Sequence, residues 1–289
     1  MECTENRTIP GVASHVESKG PMEQTTVKIE SQQAAGQLGK PVGTYITQQW
    51  HPDLFMDTPL RDEAAAFAAE ALKNLLPKKI THALVVGLGN RRITADALGP
   101  RVAERVLVTR HIRLAAPDWL DPRFGTVSAV APGVMGETGV ETADVIRAIA
   151  AEVRPDVVIC VDALASRRTA RIACTLQMAD SGIQPGGGLG SPRAELCEKT
   201  LGMPVISIGV PMVVYAKTIA QDVFEAMTDI GGDLPQHVEE TAESAFGDLV
   251  VTPKEIDRLI EEAASLIADG INLALHPAVP LGTLRGMVM

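Results

Sequence analysis

The chain has 289 residues, 46% of them hydrophobic and 21% charged, with a formal charge of −10. That balance suits a soluble globular protein with a sizeable core. It argues against nucleic-acid binding, which needs clustered positive charge, and leaves a protein partner as the better match for an acidic surface.

Aromatic residues make up only 3% of the chain, so the core must be built from Val, Ile, Leu, Ala and Met. No apolar run approaches the roughly 20 residues that span a bilayer, and the N-terminus lacks a secretory pattern. A cytoplasmic protein without membrane contact is expected. Cys3, Cys160, Cys174 and Cys197 show neither CxxC nor disulfide-scaffold spacing, and free thiols are expected.

In chain order, residues 1–25 are polar and broken by Pro10, Gly11, Gly20 and Pro21, which predicts a flexible arm. TVKIES (26–31) alternates like a short strand, and GKPVGTYITQQ predicts a turn into another. The alanine-rich run from Asp62 to Leu76 predicts a helix, acidic at its start and with Lys73 near its end. ALVVGLG from Ala83 is a continuous apolar run ending in glycines, the pattern of a strand buried on both faces. Thr94 is placed to cap a helix over TADALGPRVAERVLV. TVSAVAP (126–132) predicts a strand, residues 141–153 a helix, and DVVICVDAL a third strand. PVISIGV (204–210), a helix near 215–228 and a long helix near 253–274 follow, with residues 229–249 polar and irregular between them. Strands and helices alternating over short connections predict an α/β fold of the phosphorylase/hydrolase-like kind. Its central sheet is mostly parallel and flanked by helices, in a single domain over residues 26–276 with a tail at 277–289.

In such a sheet, catalytic groups gather outside the carboxyl ends of the strands. Asp96 follows the first parallel strand, and Asp162 ends the third in VDAL. Both belong to one edge, where paired carboxylates can act as general acid and base. A carboxylate closing an apolar strand also serves as a cap or an ion-pair partner, and the pattern alone leaves both roles open.

Other motifs carry less. GLGNRRITADALG has Arg92 where a dinucleotide loop needs its third glycine, and the chain has no Walker sequence. Asp180-Ser181-Gly182 occurs once, without the second copy a pepsin-like site needs and without a marked histidine base. A turn is expected there. QPGGGLGSP (184–192) is either a mobile loop or a backbone path for an extended peptide. His82 and His111 lack ligand spacing, and no metal or cofactor is expected. Asn90 and Thr94 are candidate orienting neighbours of the aspartates.

LVVGLGNRRITADALGPRVAERVLVTRH, SAVAPGVMGETGVETADVI, PDVVICVDALASR and PVISIGVPMVVYAKTIAQD resemble, in order, blocks of the germination protease family. VTPKEIDRLIEEAASLIADGINLALH is similar to that family's closing helix, and the resemblance covers residues 40–276. It implies an endopeptidase of the spore core, an atypical aspartic protease that degrades small acid-soluble spore proteins at germination. The family's two essential aspartates map onto Asp96 in TADALGP and Asp162 in VDALA. A homotetramer made as an inactive precursor is implied as well. A hydrogenase-maturation protease, similar in the opening 87–100 stretch, and a non-catalytic sporulation factor are the alternatives. Three departures stand out: no self-cleavage sequence is visible near the N-terminus, the 222–251 stretch is shorter than usual, and Gln184 stands where histidine is common. The chain is therefore expected to be active without processing.

Overall fold

The computed structural model describes residues 9–51, 54, 58–185, 194–228 and 236–288. Its first elements correct the expected arm: β1 (Val12–Lys19) and β2 (Met22–Ile29) form an antiparallel hairpin. Gly20, at φ 58°, and Pro21 make its two-residue turn, in which a glycine with positive φ leads the connection. β1 is exposed along nearly all its length, so it shows no apolar alternation and its sequence reads as loop.

α1 (Gln32–Leu38) is capped by the Ser31 hydroxyl, which accepts from Ala34 N–H at 3.2 Å. β3 (Gly43–Gln49), α2 (Thr58–Leu75) and β4 (His82–Gly87) follow, close to the expected positions. The helix expected from Thr94 is reduced to a 3-10 turn at Thr94–Asp96 and a short α3 (Leu98–Ala103), and the Thr94 side chain caps neither. Pro100 fits only the first turn of a helix, which sets the helix start at Leu98. α4 (Arg110–Ala115), β5 (Thr126–Val130), α5 (Met135–Thr138), α6 (Thr142–Val153) and β6 (Val157–Ser166) lead to β7 (Thr175–Ala179), a strand its short sequence does not announce. α7 (Glu198–Leu201), β8 (Val205–Tyr215), α8 (Ala216–Thr228), α9 (Gln236–Phe246), β9 (Val250–Val251), α10 (Ile256–Leu275) and α11 (Leu281–Met287) complete the chain. α9 lies in the stretch expected to be irregular. α11 replaces the expected tail: Leu284 is fully buried, and Arg285 bonds Asp269 of α10 and Asp62 of α2.

The strands form one mixed sheet in the order β1-β2-β3-β7-β8-β6-β4-β5, with β9 pairing β8. β8, β6, β4 and β5 are mutually parallel, as expected from their apolar runs, and the hairpin side is antiparallel. Helices cover both faces. On one, α2, α3 and α10 pack over Val85, Val157, Ile159, Val161, Ile206 and Ile208. On the other, Ala143, Ile146 and Ala150 of α6 pack over Leu84, Val86, Val158 and Cys160. Strand residues with nothing exposed on either face explain the unbroken apolar runs. Among the described residues no helix is long and apolar enough to cross a membrane.

Candidate active site

Asp162 lies within β6, opposite Gly209 of β8, and is only 6% exposed. Side chains alternate along a strand, so Asp162 shares the α6 face with Val158 and Cys160. The Cys160 thiol reflects this: burial first, then the Asp162 charge, pushes its pKa up. Asp162 Oδ1 accepts the N–H of Ala163 at 2.9 Å.

Asp96 reaches the same edge by a different route. Leu88 N–H donates to Val161 O at 2.8 Å, extending the β4–β6 pairing to the residue before Asp162. The chain then leaves the sheet through Gly89 and turns back at Thr94–Asp96, and this turn packs against β6 and β8. Asp96 Oδ2 accepts the N–H of Asn90 at 2.8 Å, and Asn90 Oδ1 accepts the N–H of Arg92 at 2.8 Å. Of the two expected neighbours, Asn90 engages Asp96 through its main chain, whereas Thr94 is exposed.

The glycines of GLGNRRITADALG serve close backbone approach. Gly89 has φ 112°, and a Cβ there would lie 2.1 Å from the Asp96 carbonyl oxygen. A Cβ on Gly99 would lie 2.2 Å from Leu88 O and 2.4 Å from Val161 O. The start of α3 is thus seated directly on the end of β4 and on β6, the strand that holds Asp162.

Flanking contacts brace the edge. Arg92 Nε lies 3.4 Å from Glu137 Oε1, joining the loop after β4 to the loop after β5. Past β6, Asp222 of α8 accepts from Thr169 N–H at 2.8 Å and Thr169 Oγ1 at 2.7 Å, and Arg168 lies 3.3 Å away. Burial raises the Asp222 pKa, but the Thr169 and Arg168 contacts outweigh it and hold the carboxyl below its usual range. The sequence carried no signal for these contacts.

The remaining motifs lie elsewhere. β7 runs antiparallel to β8, so Asp180-Ser181-Gly182 ends at the opposite, amino edge. There Asp180 Oδ1 accepts the Thr44 N–H at 2.6 Å, as a turn residue does. His82 opens β4 at that edge, its Nε2 3.0 Å from Ser128 Oγ, and His111 is exposed on α4. The glycines of residues 186–190 lie outside the described residues. Cys160, Cys174 and Cys197 are free thiols. Among the described residues no three His, Cys, Asp or Glu side chains are grouped as metal ligands.

A sequence model described as germination protease matches residues 2–245 and 232–284. The chain belongs to the germination protease family. It is 39% identical to the germination protease of Clostridium perfringens, over 96% of this chain and 91% of that one. Identity is 41% to the germination protease of Caldanaerobacter subterraneus, over 96% and 92%, and 36% to that of Bacillus velezensis, over 96% and 90%. Among solved structures it is similar to the nickel–iron hydrogenase maturation protease HycI of Thermococcus kodakarensis, at 18% identity and a TM-score of 0.32, covering 68% of this chain and 98% of that one. As a germination protease family member, the chain is an endopeptidase. Its TADALGP and VDALA segments are the two that meet at the carboxyl edge of β4 and β6.

Proposed function

We propose that the chain hydrolyses small acid-soluble spore proteins at the carboxyl edge of β4 and β6, with Asp96 and Asp162 as paired general base and acid. The observation that supports this reading is that the Thr94–Asp96 turn, which follows β4, packs against β6, the neighbouring parallel strand that holds Asp162.

Two neighbouring carboxylates hydrolyse an amide without a covalent intermediate. The ionised one takes a proton from water as the water oxygen attacks the carbonyl carbon. The protonated one donates to the leaving nitrogen as the C–N bond breaks, and the pair ends with the proton exchanged between them. Like charges at short range disfavour double ionisation, so the two protonation states coexist over a broad pH range. Such a pair titrates as a unit, and its apparent pKa values belong to the dyad.

The family resemblance supports the spore protein substrate, a homotetramer and a location in the spore core. The test is incubation of the purified chain with a small acid-soluble spore protein. Parent chain should cut it, and Asp96→Asn and Asp162→Asn should each lower kcat by at least about 10³-fold with nearly unchanged melting temperature. Full activity in either variant would remove the two-aspartate mechanism. Absence of cleavage by the parent would favour the non-catalytic alternative, and strong inhibition by a chelator the metal-reading one.

A further inference from the structure

The sheet register sets Asp162 at the end of a row of side chains. Asp162 of β6 pairs with Gly209 of β8, Gly209 with Gln177 of β7, Gln177 with Thr47 of β3, and Thr47 with Thr25 of β2. Residues directly opposite one another across paired strands share a face, so all five lie on the face of Asp162. From Asp162 to Thr47 the row crosses three strand spacings, about 14 Å.

This half of the face is open. Thr25, Thr47 and Gln177 are partly exposed, although β2, β3 and β7 each have a strand on both sides. On the opposite face Ile46, Leu176 and Met178 are buried in the core that holds α2 and α10, so the exposure belongs to the Asp162 side. The apolar cluster under α6 reaches β8 only at Val205, and α1 covers only the far corner at Ile29 and Tyr45. Between them lies a trough whose floor is polar where a doubly covered sheet would be apolar.

The floor leads straight to the aspartate. Leu164, two residues past Asp162 and partly exposed, lies flat on β8 beside it: a Cβ on Gly209 would come within 2.6 Å of Leu164 Cγ and Cδ1. Beyond this apolar step the Gln177 amide and the Thr25 and Thr47 hydroxyls make no hydrogen bond with the described residues. An amide and hydroxyls each offer donor and acceptor together, which matches the alternating N–H and C=O of an extended polypeptide. The strands beneath are already paired on both sides, so such a segment is held by floor side chains and not by strand addition.

We propose that this trough is the substrate channel, in which an extended segment beside the scissile bond crosses Leu164 and hydrogen-bonds through its main chain to Gln177 and Thr47. The inference rests on the paired-aspartate reading, and its test separates the two.

Gln177→Leu, which removes the amide, and Thr47→Trp, which fills the trough, are compared with the parent for cleavage of a small acid-soluble spore protein. Each should raise KM at least about fivefold with kcat kept within about threefold, the pattern of lost ground-state binding. An unchanged KM in either variant overturns the proposal. Thermal melting should stay at the parent value, and a lowered temperature in both variants would show that the face is packed against part of this chain, which overturns it too. Sedimentation should give both variants the parent's mass, and a smaller assembly in Thr47→Trp would make the trough an interface between copies instead. In the Asp162→Asn background the spore protein is titrated for binding alone. Gln177→Leu should weaken that binding at least about fivefold. Equal binding, or none by Asp162→Asn itself, overturns the proposal, whether or not the two-aspartate mechanism has held.

Discussion

The N–H of Asn90 donates to Asp96 Oδ2 at 2.8 Å, and the left-handed Gly89 between Leu88 and Asn90 makes that bond possible. A Cβ at residue 89 would meet the Asp96 main-chain oxygen at 2.1 Å and Oδ1 at 3.1 Å. Gly89→Ala must therefore push the Asp96 turn away from β6, and φ 112° adds about 1–3 kcal/mol of backbone strain. Peptidase kcat/KM should fall at least about 10²-fold, since small misplacements of a reacting group are that costly. Steady-state kinetics with a thermal melt checks this, and parental activity in Gly89→Ala would show that Asp96 does not need its clamp.

The N-terminal hairpin lies far from the proposed chemistry. β1 is five strand spacings from β6, about 24 Å across the sheet. Deleting residues 1–20 removes the exposed strand β1, together with the packing of Ile9 and Val12 on Ile29 and the Lys19–Glu70 ion pair, and should change the cleavage rate less than about twofold. Deleting residues 1–30 also removes Met22 and Ile29, each 2% exposed, and the Gln24 oxygen that accepts from Gln48 at 2.7 Å. That deletion should lose several kcal/mol, at about 2–5 per large apolar side chain, and leave little folded protein. Cleavage by the shorter truncation alone, with the full chain silent, would identify the N-terminal segment as an inhibitory propeptide.

Acid should destabilise the fold through its histidines before it reaches the carboxylates. His276 is fully buried, accepts Gly125 N–H on Nδ1 at 3.0 Å and meets Phe124 edge-on at 5.6 Å. Burial lowers its pKa, as it does for His82, where Arg110 adds to the effect. Both folded values lie below the unfolded value of 6.5. The unfolded chain therefore takes up protons first as pH falls through 6.5, and stability present above that pH is progressively lost below it. Each histidine contributes a slope of up to about 1.4 kcal/mol per pH unit. Denaturant unfolding at pH 7.5, 6 and 5 should show the decline, and His276→Asn should flatten it. An unaltered slope in His276→Asn would remove His276 from the acid response.

α11 is held by one partly buried charge cluster. Arg285 donates to Asp269 Oδ2 at 3.0 Å from Nε and 2.6 Å from Nη2, and to Asp62 Oδ1 at 2.7 Å. Those bonds raise the Arg285 pKa against the effect of its burial. Arg285→Met leaves Asp269, 9% exposed, without its cation and should cost about 1.5–3 kcal/mol. Arg285→Met with Asp269→Asn should recover part of that loss, because a neutral amide tolerates the missing charge. Equal stabilities of parent and Arg285→Met would make the cluster a surface ornament of no energetic consequence.

The sequence by itself determined the parallel half of this fold. ALVVG, VVICV and VISIG are apolar without interruption because both faces of β4, β6 and β8 are covered, and that burial is written residue by residue. The same local record places Asp162 where its run ends and Asp96 in the segment that follows the first run, and the consecutive blocks around them carry the family. What lies in contacts between distant residues was decided only by the tertiary structure. β1 reads as loop because an exposed edge strand leaves no apolar period, and only its eight-residue register with β2 makes it a strand. The helix expected from Thr94 shrinks because Gly99 seats its start on Leu88, just past β4, and Val161 of β6, contacts that local propensity does not count. Periodicity records how much of a residue's own surface is buried, whereas a site depends on which separate surfaces are buried together.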